Sequence, residues 1–210
     1  MGVRVAAVSV RRRDATGTRR GFGLDGFTTY TTADGLAHDW VRTLLQDSDG
    51  HLWFGTDGAS LCRYDGQQFT TFGAADGLPY GVISALLEDR NGNLWIGTEG
   101  GGVSCYDGAR FTTYRDGLAS DYVASLLEDR DGNIWIGTQG GGVTKFDGHR
   151  FTTFTKLDGL VHDWVGAILE DREGNLWFGT LGAVTLYDGE SFFSYSSEDG
   201  VPHDWVESLL

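Results

Sequence analysis

The sequence predicts an all-β chain, a β-propeller of four-stranded antiparallel blades, on three observations. A hydrophobic-Trp-hydrophobic-Gly-Thr unit recurs as Leu52–Thr56, Leu94–Thr98, Ile134–Thr138 and Leu176–Thr180, its tryptophans 42, 40 and 42 residues apart. Around each unit stand four short runs of β-branched and aromatic residues bounded by Gly, Asp and Asn, a pattern of strands and tight turns. Four strands in about 41 residues is the size of one propeller blade, and such a repeat buries its apolar faces only against its neighbours.

Each unit reads in the same order. An apolar run opens it: Val41 to Leu45, Ile83 to Leu87, Val123 to Leu127 and Val165 to Leu169. Small residues within these runs (Ser84-Ala85, Ala124-Ser125, Gly166-Ala167) place this strand innermost, where strands converge on the axis. A polar turn follows, such as Asp89-Arg90-Asn91-Gly92-Asn93, whose glycine supplies the positive φ of a tight hairpin. The Trp strand comes next, then a Gly-rich bend at Asp57-Gly58, 99–102, 139–142 or Leu181-Gly182. A third strand runs into an Asp-Gly turn (Asp65-Gly66, Asp107-Gly108, Asp147-Gly148, Asp188-Gly189). An aromatic outer strand closes the unit: 69–72, 111–114, 151–154 and 192–195.

The expected organisation is an Arg-rich segment over residues 1–20, a disordered or wrongly started terminus, followed by repeats over 21–210. The repeats divide into a partial blade over 21–40, blades over about 41–75, 76–115, 116–157 and 158–198, and a partial blade over 199–210. The orphan outer strand Phe27-Thr28-Thr29-Tyr30 and the orphan inner strand Val206 to Leu210 could share a fifth blade. A fragment of a larger propeller is the preferred expectation, and a closed five-bladed ring the alternative.

The chain has 210 residues with a net charge of −14, and it holds 33 Gly and only 2 Pro, as a turn-dense β protein does. Residues 1–20 hold six Arg and one Asp, so the repeat region carries 10 basic and 29 acidic groups. Such a surface repels phosphate backbones and speaks against a nucleic-acid partner. No signal peptide is visible, and no apolar stretch reaches the roughly 18 residues of a membrane span. Cys62 and Cys105 occupy third strands at positions offset by one, so they point to opposite faces and are expected as two buried thiols.

The motifs Gly-Asn-Leu-Trp-Ile-Gly-Thr, Gly-Gly-Gly-Val-x-x-Tyr/Phe-Asp-Gly-x-x-Phe and Asp-Gly-Leu-x-x-x-x-Val resemble the two-component regulator propeller repeat. The resemblance covers residues 21–210. It implies a ligand-sensing or interaction domain of bacterial signalling proteins such as hybrid histidine kinases, usually extracytoplasmic, with seven blades to a ring. The four complete units here are fewer, and no kinase or receiver segment accompanies them. A weaker resemblance to streptogramin B lyases gives the alternative of a propeller lyase, and an inert structural fragment is a third reading.

Candidate binding residues lie where the chain enters each inner strand: His38-Asp39-Trp40, His162-Asp163-Trp164 and His203-Asp204-Trp205, with Asp121-Tyr122 after Ser120 and Tyr80 before Gly81-Val82. Loops on a rigid scaffold are where binding groups gather. Aromatic faces beside Asp and His suit a neutral or cationic glycan, peptide or other small molecule. The competing reading is that the Trp packs between blades while His and Asp cap turns. Neighbouring His and Asp diverge on an extended strand and no nucleophile recurs, so no catalytic residue, metal or cofactor is expected. Asp129-x-Asp131-Gly132-Asn133 lacks the distal Glu of a calcium loop and reads as a hairpin turn.

Overall fold

The structure, a computed structural model, describes residues 29–201, 206, 208 and 209. These hold four four-stranded antiparallel sheets, one per repeat, each in simple chain order. Blade 1 is β1 (Val41–Gln46), β2 (Leu52–Thr56), β3 (Leu61–Tyr64) and β4 (Phe69–Phe72). Blade 2 is β5 (Val82–Glu88), β6 (Leu94–Glu99), β7 (Gly102–Tyr106) and β8 (Phe111–Tyr114). Blade 3 is β9 (Val123–Glu128), β10 (Ile134–Thr138), β11 (Val143–Phe146) and β12 (Phe151–Phe154). Blade 4 is β13 (Val165–Glu170), β14 (Leu176–Thr180), β15 (Ala183–Tyr187) and β16 (Phe192–Tyr195). Residues 1–20, the orphan strand 27–28 and the candidates His203, Asp204 and Trp205 lie outside the described residues.

Strands β1, β5, β9 and β13 neighbour one another in that order, so the first strand of each repeat is the innermost. Each carries a register shift within its first three residues, a bulge at Arg42, Ser84, Ala124 and Gly166. Bulges of this kind bend a strand and re-aim one side chain. Glycine of the Trp unit lets the inner strands close up. A Cβ on Gly55 would lie 2.4 Å from Ile83 Cγ2, and one on Gly97 would lie 2.5 Å from Val123 Cγ1.

The core lies between blades. The forward face of blade 1 (Trp53, Leu61, Phe72) meets the rear face of blade 2 (Leu94, Ile96, Tyr106, Phe111). Blades 2 and 3 repeat that junction with Trp95 and Val103 against Ile134, Ile136 and Phe146. Blades 3 and 4 repeat it with Trp135 and Val143 against Leu176 and Phe178. Tyr30 packs on Tyr64 and Phe69 of blade 1 as Phe72 packs on Tyr106 and Phe111 of blade 2. Residues 29–40 thus begin covering the first rear face.

Trp53, Trp95 and Trp135 are 4%, 5% and 1% exposed, as expected of wedges between blades. Trp177 departs from that expectation and is half-buried, because no described blade covers its far side. Cys62 and Cys105 are free thiols on opposite faces, but only Cys62 is buried. Partial burial, aided by Asp89 and Asp107, pushes the Cys105 thiol up to about 11.

Each hairpin between first and second strands is organised by an aspartate that sequence reading treated as an ordinary turn residue. The indole N–H of Trp53, Trp95, Trp135 and Trp177 donates to Asp47, Asp89, Asp129 and Asp171 at 2.8, 2.9, 2.7 and 2.9 Å. The Asp129 carboxylate also accepts from the backbone N–H of Asp131 and Asn133 and from the Asn133 amide. Internal donors therefore fill this partial calcium motif.

Burial at Asp47, Asp89 and Asp129 works against ionisation, but these hydrogen bonds outweigh it and hold all three below the usual range. The Trp177 indole leads in lowering Asp171 to about 2. Since each folded pKa is depressed, their stabilisation is complete above the unfolded value of about 4 and disappears as pH falls through the folded values. The urea midpoint should therefore drop steadily from about pH 4 towards pH 2. Asp171→Asn should flatten the lower part of that slope; an unchanged slope would show the bond to be energetically silent.

Candidate functional site

The candidate segments lie at one end of the inner strands, and hydrogen bonds join them to the Gly-rich bends. The Asp121 carbonyl accepts from the N–H groups of Gly100 and Gly102 at 3.0 Å each. The Asp163 carbonyl does the same for Gly140 and Gly142 at 3.0 and 2.7 Å. Trp40 and Tyr122 carbonyls accept from Asp57 and Gln139 at 3.1 and 2.8 Å, and Trp164 bridges to Gln139. The Gly-rich bends at 99–102 and 139–142 thus form one surface with the strand mouths. Gly142, at φ +80°, shows why glycine is needed: a Cβ there would meet the Phe154 carbonyl oxygen at 2.1 Å.

His and Asp turn out to be the fastenings of this surface. The Nδ1 atoms of His38 and His162 accept the N–H of Trp40 and Trp164 at 3.0 and 2.9 Å. Ser120 Oγ does the same for Tyr122 at 3.2 Å. Both imidazoles therefore present an unprotonated Nδ1 and act as turn caps, a role a hydroxyl fills equally. Asp39 accepts from the N–H of Thr32 at 2.8 Å, and Asp163 from that of Lys156 at 2.7 Å.

Asp121 is held differently, for a reason visible in the spacing. The lead-in to blade 3 is two residues shorter, the origin of the single 40-residue interval, and the turn that serves Asp39 and Asp163 is missing. Arg115 takes its place, pairing with Asp121 and donating to the Gly100 carbonyl at 3.0 Å. In the lead-in to blade 2, Gly81 (φ +133°) replaces the Asp, and Tyr80 stands at the position of His38.

The aromatic rings remain as the outward groups. Trp40, Tyr80 and Tyr122 are 56%, 86% and 52% exposed, and Trp164 is half-buried. The Tyr122 ring lies beside Gly100, where a Cβ would approach within 3.6 Å. Sequence reading missed the Arg42–Asp57 ion pair at this same end, which also feels the charge of Glu99. Its signal was available: Arg42 is the one charged residue at the bulge position of the four inner strands. Among the described residues no three His, Cys, Asp or Glu side chains gather to hold a metal ion, and no helix is long and apolar enough to cross a membrane.

The chain is thus a β-propeller repeat scaffold whose loops are fastened by internal caps and whose aromatic rings turn outward at one end. The two-component regulator propeller family matches at residues 35–58, 77–100, 117–140 and 159–182, and by those four matches the chain belongs to that repeat family. No curated protein matches the sequence.

Among solved structures, the chain is similar to the extracellular domain of a protein assigned as the hybrid two-component system BT3049 of B. thetaiotaomicron. The two are 20% identical over 88% of this chain and 32% of that one, with a TM-score of 0.61. It is similar also to the extracellular domain assigned to BT4673 of the same organism, at 26% identity over 77% of this chain and 25% of that one, TM-score 0.65. A catalytically inactive virginiamycin B lyase from Staphylococcus aureus with quinupristin is 15% identical over 95% and 75% of the two chains, TM-score 0.67. The lyase likeness shows the fold alone. This chain spans between a quarter and a third of the two extracellular domains.

Proposed function

We propose that this chain is a non-catalytic ligand-binding part of an extracytoplasmic sensor propeller, and that a neutral or cationic glycan or peptide docks on its aromatic end. The observation that carries this reading is the set of outward rings, Trp40, Tyr80 and Tyr122, standing on loops fixed by backbone hydrogen bonds. A flat ring in a preordered loop offers apolar area at little cost in conformational entropy. The family match and the extracellular neighbours support the sensing role and the compartment.

Binding to arrays of glycans and peptides is the test, with the wild type compared with the Tyr122→Ala/Trp164→Ala double variant. Binders of the wild type should lose about 10- to 100-fold in affinity in the double variant, as expected for removal of central aromatic anchors. His162→Ser, which preserves the cap, should bind like the wild type. Full binding by the double variant, at an unchanged melting temperature, would place the site elsewhere and sink the proposal.

A further inference from the structure

Two of the three caps that aim the aromatic rings depend on a proton, and the third does not. His38 Nδ1 accepts the Trp40 N–H at 3.0 Å and His162 Nδ1 accepts the Trp164 N–H at 2.9 Å, while Ser120 Oγ accepts the Tyr122 N–H at 3.2 Å. A neutral imidazole whose Nδ1 accepts carries its one proton on Nε2. Protonation puts a second N–H on Nδ1, so donor then faces donor and the cap is lost. A serine hydroxyl keeps its lone pairs at any ordinary pH. Histidine is the side chain whose charge ordinarily changes between about pH 5 and 8.

These caps act on the ring-bearing segments and not on the blades. Trp40, Tyr122 and Trp164 each stand one residue before the inner strands β1, β9 and β13, outside the regular sheet ladder. The other ties of the segments run through carbonyls. The Trp40 carbonyl accepts from Asp57, and the Asp163 carbonyl from Gly140 and Gly142. Loss of a cap therefore loosens a ring while its blade stays folded.

The charges around both imidazoles have partners of their own. On the lead-in to blade 1, Asp34 accepts from Thr31 and Asp39 from Thr32. On the bend whose Gly58 lies against the His38 ring, Asp57 pairs with Arg42 of β1. On the lead-in to blade 4, Asp158 accepts from Thr155 and Asp163 from the N–H of Lys156, the one cation of that segment. The matching bend of blade 4, Leu181-Gly182, carries no charge. Among the described residues, none of these carboxylates bonds to either imidazole. The other two described histidines, His51 and His149, lie in hairpins at the opposite end of the blades.

We propose that His38 and His162 are positioning residues that make the aromatic mouth pH-sensitive: neutral imidazoles hold Trp40 and Trp164 in place, and acidification releases those two rings while Tyr122 stays fixed on its serine. The consequence for a ligand, weaker binding in acid, rests on the aromatic end being the binding surface proposed above.

Nitrogen NMR of the full chain, titrated from about pH 8 to 5, is the test. The turn aspartates, held below the usual carboxylate range, stay ionised throughout. At the upper end His38 and His162 should both show the Nε2–H tautomer. On acidification the Trp40 and Trp164 amide signals should move in step with their own imidazoles, and the Tyr122 amide should stay. In His38→Ser/His162→Ser the Trp40 and Trp164 amides should stay as well. Trp amides that ignore their imidazoles, or that move as much in the serine variant, overturn the proposal; if the variant does not fold, the wild-type titration decides alone. Arrays of glycans and peptides read at about pH 7.5 and 5.5 form a second arm. Wild-type signals should fall about 3- to 10-fold at the lower pH, the effect of one lost hydrogen bond, and those of the serine variant should fall less. Equal wild-type binding at both pH values overturns the consequence for the ligand. A chain that binds nothing at either pH sinks the ligand reading itself, and the NMR titration still decides the switch.

Discussion

Trp135→Ala should lower the unfolding free energy by about 3–5 kcal/mol, a large part of the 5–15 kcal/mol that holds a typical domain together. Trp135 is the most enclosed of the four repeat tryptophans, at 1% exposed. Its ring touches Phe154 of its own blade and Phe178 and Tyr187 of the next, so its loss opens a cavity across a blade junction. The Asp129 carboxylate would lose its 2.7 Å indole donor as well. Trp135→Phe separates these terms: it keeps most of the packing and should cost about 1–2 kcal/mol for the lost charge-assisted hydrogen bond. Urea unfolding followed by circular dichroism reads both. A Trp135→Ala protein that melts like the parent would remove the tryptophan from the core.

Gly137→Ala should destabilise by about 1–3 kcal/mol although it adds one methyl to a strand, where alanine is otherwise harmless. A Cβ at Gly137 would lie 2.2 Å from Ser125 Oγ and 2.8 Å from the Val165 carbonyl oxygen. The inner strand of blade 4 must therefore back away, and the shift carries into the Trp135 cluster. Gly148→Ala is the comparison: nothing lies within 4 Å of its Cβ, and only the cost of φ +90° remains. Equal effects from the two variants would show that close approach of the inner strands contributes little.

Repetition made the fold legible. Every position occurs four times, so a local ambiguity at one copy is settled by the other three. The innermost place of β9 followed from Ala124-Ser125, and the strand order from the turns. The site was half legible. The spacing from the Asp-Gly pair to the inner strand located the mouth, and the aromatic residues stand on it. The same pattern could not tell a ligand group from a fastening. His162 and Ser120 look chemically unrelated, yet both cap the N–H two residues on. Arg115 was passed over because its role exists only where two residues are missing from the lead-in to blade 3.

The sequence by itself determined the blade, its four strands, their order and the glycine that lets inner strands meet, because these follow from local turn chemistry and a period in apolar residues. Tertiary structure alone decided which polar groups face outward and which are consumed inside. Clasps such as Arg90–Glu128 join residues 38 apart in the chain, and Asp163 meets Gly140 and Gly142 only because successive blades lie face to face. A side chain's partner depends on which donor or acceptor the folded backbone brings within about 3 Å, and that distance is set by blade stacking.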